Sequence, residues 1–481
     1  MARVAGRSKR LTSWLLVLAV LGPATAEAAA PVVPQRPWEY APYRIQVWIA
    51  LVPSPELTAR LRERIAETIA QRADVVAGAT WDLRTVRCPP AVAAVTAQQI
   101  AAVTVEDVQA ADPQLLKSED KLFLLRVRAE PDGWSLAARE LDCPTRLWRP
   151  TETARIVQPE QIPDTAAALV ATAFSPLARI ESVKDSEAKL RVRAGGLVTE
   201  PTSPAAVHDS AVLLPVLRID DRQGEPLKNG IQVVPWTLLS VKEREGSALK
   251  CRVFSGGATT LGGRTSSRVI KLALVVKPHG AATQLRVTTG GATPVALPGY
   301  EIRIKDPDTS ASDLVGITDW RGMVTVPRAG KTLRVLQVRS GSRLVAVCPV
   351  VPGLDPELLI RVPNDELRLE AEGFVQGLQT RVMDIMARRE LYKARFQRHL
   401  EKKEFDRAQG MLDEFRRLET RAELSRLLDV QEQRLTTPDR ATQKRIDKLF
   451  ADTRQVLLKF LDPTTADQLA AQLAKATGKG S

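Results

Sequence analysis

Three consecutive side chains at 319–321, a carboxylate, an indole and a guanidinium, are the first place in this chain where chemistry is conceivable. They sit in Thr318-Asp319-Trp320-Arg321-Gly322, and Ala329-Gly330-Lys331-Thr332 follows a few residues on, resembling the end of a phosphate-binding loop. That loop requires a first glycine at 325, where Thr325 stands, and it must open a helix, whereas this stretch lies between strand patterns. Asp220-Asp221-Arg222-Gln223-Gly224 is rich in oxygen ligands but lacks the remaining oxygens and terminal Glu of a calcium loop, so it reads as a tight turn. His208, His279 and His399 have no partner in the sequence around them and read as loop or surface residues. No Gly-x-Ser-x-Gly, His-Glu-x-x-His or strand-linked Gly-x-Gly-x-x-Gly occurs. The sequence therefore assigns no catalytic, cofactor-binding or metal-binding residue, and no cofactor. Asp319 and Gly322 read as a turn: an Asx-type carboxylate accepting backbone N–H bonds, and a glycine supplying positive φ. Gly322→Ala is then expected to destabilise its domain.

Four cysteines, Cys88, Cys143, Cys251 and Cys348, lack Cys-x-x-Cys spacing, which argues against a zinc cluster or a redox motif. They allow three pairings, of which Cys88–Cys143 is preferred and Cys251–Cys348 comes second, with buried free thiols the alternative. Six tryptophans (Trp38, Trp48, Trp134, Trp148, Trp236 and Trp320) have the chemistry to stack on sugars. Trp134 and Trp148 are the candidates for a partner surface.

The elements that hold these residues begin after an export signal. Arg3, Arg7, Lys9 and Arg10 precede the apolar run Trp14–Gly22, and Ala26-Glu27-Ala28 has the A-x-A form of a cleavage site. Residues 1–28 are expected to be a signal peptide and 29–37 a Pro-rich leader. The apolar run is well short of the ~20 residues that span a bilayer, and no cysteine lies near the cut, so the expected address is secreted or periplasmic without a lipid anchor. No later stretch is apolar enough to span, so no transmembrane segment is expected in the mature chain. The net charge of +13 is dispersed among acids, without a basic block, which argues against a nucleic-acid partner and allows a weak preference for anionic surfaces.

Across 481 residues, of which 44% are hydrophobic, the pattern changes character three times. Residues 38–181 read as an α/β sandwich of order β-α-β-α-β-β-α, with one layer of helices on a mixed sheet. Its first helix is expected to start at the Ser54-Pro55 cap, its second strand spans Trp81–Cys88, and its last helix Thr165–Phe174. Pro131-Asp132-Gly133 turns a hairpin within Lys121–Asp142. Residues 182–277 read as a small β-barrel or sandwich with a Gly-rich loop at Ser255–Gly263, and 281–363 as a second all-β unit. Residues 364–474 carry helical periodicity and a Thr437-Pro438-Asp439 start signal, which predicts a hairpin or three-helix bundle, with 475–481 a disordered tail. The fold class is thus multidomain α+β. Lys403–Phe415 resembles half of a tetratricopeptide-type helix pair, but no such repeat returns.

Within 281–363, Pro298-Gly299-Tyr300 leads into alternating Tyr300, Ile302 and Ile304, and the Thr-Asp-x-x-Gly turn precedes Met323, Val324 and Val326. This segment resembles the carboxypeptidase regulatory-like, transthyretin-like β-sandwich family. The resemblance implies an accessory domain without catalytic residues, although the family's Gly-x-Tyr end is absent. By topology and address, the first domain resembles the amino-terminal modules of TolB-type periplasmic assembly proteins. The combined expectation is a non-enzymatic scaffold of the bacterial envelope with an envelope protein or glycan as partner, its oligomeric state left open. The alternative is a hydrolase or polysaccharide-acting enzyme with a site near Trp134, Asp142 and Trp148, which requires a cleft with two converging carboxylates.

Overall fold

Two central strands of the first domain, β1 (Tyr43–Leu51) and β3 (Lys121–Glu130), are buried along most of both faces, and this decides its layering. The structure, a computed structural model, describes residues 37–478 apart from 258–260, 262–267, 291, 292, 364 and 438. The expected signal peptide and most of the leader lie outside the described residues, as do parts of the Gly-rich loop and of the tail. With β2 (Trp81–Arg87), β4 (Gly133–Asp142) and β5 (Leu147–Ile156), the head forms a sheet of order β2-β1-β3-β4-β5. β1 runs parallel to β2 and β3, and β3, β4 and β5 are antiparallel neighbours. The fifth strand was not expected from the sequence, and its Pro150 is tolerated because β5 is an edge.

Helices cover both faces of this sheet, not one. On the first face, α1 (Ala59–Val76) and α5 (Ile162–Ala173) pack Ile65, Ile69, Ala166 and Val170 against Tyr43, Ile45, Val47 and Phe123. On the second, α2 (Pro90–Gln98), α3 (Val105–Ala111) and α4 (Leu115–Ser118) supply Val92, Val108 and Leu115 to a cluster around Trp48, Leu122, Leu124 and Leu141. The start of α1 also differs from expectation. Ser54 and Pro55 form a preceding turn, and Thr58 is the N-cap, its hydroxyl accepting from Leu61 N at 3.3 Å.

The second domain is a closed barrel. β6 (Leu177–Lys184), β7 (Glu187–Val192), β8 (Val212–Asp220), β10 (Thr237–Glu245), β11 (Ala248–Ser255) and β12 (Val269–Val275) run in the order β10-β11-β7-β6-β12-β8. Pairing of β10 with β8 completes the ring, and β9 (Pro226–Val233) flanks β8 outside it. β6 opens at Leu177 and so straddles the boundary expected at 182. Leu190, Leu213, Leu239, Leu249 and Cys251 fill the interior.

The third domain stacks two sheets: β16 (Met323–Pro327), β13 (Ala282–Thr289) and β19 (Glu357–Val362) on one side; β15 (Asp313–Ile317), β14 (Glu301–Lys305), β17 (Arg334–Ser340) and β18 (Arg343–Val350) on the other. Leu285, Val287 and Ile360 from the first sheet meet Ile302, Leu336 and Val338 from the second in one core.

Among its described residues the carboxy-terminal part holds five helices in place of the expected hairpin or three-helix bundle. α6 (Glu366–Glu401), 36 residues long, packs its first half with α8 (Arg421–Arg434) and α9 (Arg440–Phe460), and its second half with α7 (Phe405–Arg416) and α10 (Thr465–Ala476). Asp439 is the N-cap of α9, accepting from Thr442 N at 3.0 Å, and Thr420 and Glu423 form a reciprocal capping box on α8. No helix among the described residues is long and apolar enough to cross a membrane. Residues from Trp38 onward form one compact unit.

Candidate functional site

The densest group of titratable side chains lies where the head meets the barrel, and the β3–β4 register creates it. Lys121 is paired with Asp142 and Phe123 with Glu140, so one cation and two carboxylates share the inner face at one end of the hairpin. All three are fully buried. Lys121 Nζ lies 2.8 Å from Asp142 Oδ2, bonds Glu140 Oε1, and donates to the Ser175 carbonyl at 2.6 Å. Glu140 Oε2 accepts from Ser175 N at 2.6 Å, while Asp142 Oδ1 accepts from Thr145 N at 2.9 Å and from its hydroxyl at 2.5 Å. Tyr43 Oη accepts from Leu177 N at 2.9 Å. The link between α5 and β6 is therefore held on both sides by buried polar groups.

Burial alone would lower the Lys121 pKa, but Asp142 and then Glu140 outweigh it, and the ammonium is held charged to well above its ordinary range. Burial raises the Glu140 pKa more than Lys121 lowers it. A second layer surrounds the first. Arg193 reaches Asp120 at 2.6 Å and the Pro42 carbonyl at 3.0 Å, while Asp120 also accepts from Arg44 N at 2.9 Å. Lys277 donates to the carbonyls of Thr172 and Phe174 at 2.9 and 2.7 Å, and His279 bonds Glu152. Each of these tertiary contacts joins the head to the barrel or to the segment just after it, except the Arg44 N–Asp120 bond within the head. General acid–base work requires a group within reach of a substrate proton. Lys121, Glu140 and Asp142 are sealed from solvent, so the arrangement is a staple.

The sequence-derived candidates are dispersed. Asp142 belongs to the staple and opens onto no cleft. Trp134 pairs with Ile156 and packs on the α1/α5 side, whereas Trp148 pairs with Leu141 and packs on the other side beneath Arg139, whose guanidinium lies 4.6 Å from the ring centre. They are half-buried on opposite faces and form no common partner surface. Nor is either preferred disulfide made: all four cysteines are free and buried. Cys88 follows β2, with its N–H on Ile49 at the far end of β1, while Cys143 follows β4, with its N–H on Asp120 just before β3. The two thiols thus lie at opposite ends of the sheet on strands three places apart, at least ~14 Å by strand spacing, against the ~7 Å a disulfide tolerates between Cα atoms. Cys251 belongs to the barrel core and Cys348 to the sandwich core. Burial pushes Cys88 and Cys251 up to about 12 and Cys348 up to about 11, which leaves inert thiols.

At 318–322, Asp319 Oδ1 accepts from Arg321 N at 2.9 Å and Met323 N at 2.7 Å, and Gly322 has φ of +71°. A Cβ on Gly322 would lie 2.4 Å from the Val287 carbonyl oxygen. Thr318 is buried, donating to the Leu297 carbonyl and accepting from Tyr300 N. Trp320 is 74% exposed, with Arg321 stacked 4.4 Å from its ring centre. Asp221 Oδ1 accepts from Gln223 N and Glu225 N, so its loop is a turn, and among the described residues no group of acids, cysteines and histidines is arranged to hold a metal. Lys331 pairs with Asp308 at 3.2 Å between strands. His399, apparently solitary in sequence, lies 2.6 Å from Glu404.

No protein-family model matches the chain, and no curated protein matches it. Among solved structures, the crystal structure of TolB from Acinetobacter baumannii aligns over 67% of this chain and 95% of its own, at 10% identity and a TM-score of 0.18. A likeness that loose carries no argument about fold or function, and the carboxypeptidase regulatory-like resemblance of 281–363 has no family match behind it.

Proposed function

We propose that this protein is a non-enzymatic scaffold of the bacterial envelope, secreted or periplasmic, which holds its head and helical tail in fixed relation so that an envelope protein or glycan can be presented or bound. The observation that carries the reading is the staple: its fully buried charges are consumed in joining head to barrel, and a second buried group repeats the pattern at the other end. There Arg368 lies 2.6 Å from Asp365 and 2.7 Å from the Ser340 carbonyl, and Asp365 also meets Arg343, so the tail is tied to the sandwich. The address rests on the signal-peptide pattern of residues 1–28. The two stacked sheets support reading 281–363 as an accessory sandwich of the carboxypeptidase regulatory-like kind.

The test is crosslinking in intact cells, with photoreactive residues placed on the head and on the tail. The expected result is a mature amino terminus near residue 29 and reproducible adducts whose pattern is lost when Lys121→Met loosens the head. A cytoplasmic, uncleaved protein would overturn the reading. So would hydrolysis of envelope polysaccharide by the purified chain, which would favour the enzyme alternative.

A further inference from the structure

The seam between the barrel and the sandwich has a feature that the scaffold reading does not use. Between barrel and sandwich lies a groove of about 300 Å³ with apolar walls from Leu214, Val234, Leu238, Val350 and Leu358, and Trp236 at its side. Its position, size and lining are those of small-molecule sites, which favour domain interfaces and occupy roughly 300–1,000 Å³. Two further observations single it out. Trp236 has φ of +50°, a left-handed conformation that is strained for a bulky residue, and the structure holds it there by a 2.9 Å bond from Gly256 N to its carbonyl. The second is the polar content of the groove. The hydroxyls of Thr237 and Thr283 are already engaged, with the Pro235 and Asp355 carbonyls at 3.1 and 2.8 Å. The carboxylate of Asp355 is different: it reaches solvent and makes no direct ion pair among the described residues, its nearest named charge being the buried Arg149. Partial desolvation raises its pKa, opposed by Arg149, as expected of an acid facing an apolar hollow.

We infer that this groove binds a small organic cation, an ammonium carried on an apolar body, with the body against Trp236, Val234 and Leu238 and the charge on Asp355. The commitment to a cation follows from charge complementarity: Asp355 is the one charged side chain among the residues lining the groove, so the lining repels anions and gains a partner from a cation. The inference stands apart from the scaffold reading, since the groove is lined by residues of the barrel–sandwich seam and by none of the staple's.

Calorimetric titration of the full chain with phenethylamine, n-propylbenzene and 3-phenylpropanoate tests it, because the three probes share a ring and differ in charge. The amine is expected to bind at least about tenfold more tightly than the anion, the ratio a single charge-assisted contact supplies. Asp355→Asn should bring the amine down to the level of the neutral probe, and Leu354→Trp, which fills the groove, should abolish all three. If Leu354→Trp fails to fold, Asp355→Asn decides alone. Equal binding of amine and anion, amine binding unchanged in Asp355→Asn, or no binding of any probe overturns the assignment.

Discussion

Where the head meets the barrel, Lys121, Glu140 and Asp142 are sealed from water, and the first two are aimed at the backbone of Ser175. Where the barrel meets the sandwich, Val212, Leu238, Val276, Leu333 and Val351 form a small apolar cluster beside an open groove. The difference lies in directionality. Hydrogen bonds to buried charges have fixed geometry, so the first seam admits one orientation of the head. Apolar contact depends on area and not on angle, so the second seam tolerates adjustment around an occupant.

Breaking the charged seam should have the largest effect. Lys121→Met leaves two carboxylates buried without their cation, and a loss of about 3–5 kcal/mol is expected by denaturant unfolding. A loss below 1 kcal/mol would show that the cluster does not hold the head. At the apolar seam, Leu238→Ala should remove about 2 kcal/mol, the low end for such truncations, because the groove already adjoins the site. That loss should not vary with salt. Gly322→Ala lies away from both seams and serves as a control inside the sandwich. Its left-handed backbone adds about 1–2 kcal/mol, and contact with the Val287 carbonyl adds to that, so a melting temperature equal to the parent's would refute the turn geometry.

The smallest effect sharpens the comparison through pH. Glu140 has a raised pKa in the fold, so its contribution is fully present below the unfolded value of 4.5 and is lost as pH rises through the folded value. Acidification from neutrality towards 4.5 should therefore stabilise the parent relative to Glu140→Gln. Lys121, also raised, keeps its contribution below 10.5 and loses it only at more alkaline pH. Melting curves of parent and Glu140→Gln that move in parallel between pH 5 and pH 8 would show that this carboxyl does not titrate at the seam.

What could be read from the sequence followed from how local the cause was. The 318–322 turn is written in adjacent residues, since Asp319 bonds two and four positions ahead. The strand and helix patterns likewise need only their own periodicity. The staple escaped because charges in a strand ordinarily face water. A signal was nevertheless present: Lys121 falls in step with Phe123, Leu125 and Val127, and Glu140 and Asp142 fall in step with Leu136 and Ala138, opposite charges at matching ends of one hairpin. The disulfide expectation failed for a non-local reason, because nearness in sequence says nothing about which end of a sheet a cysteine occupies. The helices on the second face of the head, the fifth strand and the closure of the barrel also depended on tertiary partners.

One helix, α6, contributes to two separate cores: Ala371, Leu378, Val382 and Ile385 to the first, and Phe396 to the second. At about 100° per residue, a single insertion between Ile385 and Phe396 would swing everything beyond it to a different side, turning Phe396 away from α7 and α10. A change of about seven residues, close to two full turns, or of about eleven, close to three, would restore the facing. The length of that stretch is therefore locked like a gear ratio. Substitutions along it can accumulate freely on the outer side, but relatives of this chain should gain or lose residues there in steps of about seven or eleven, or not at all.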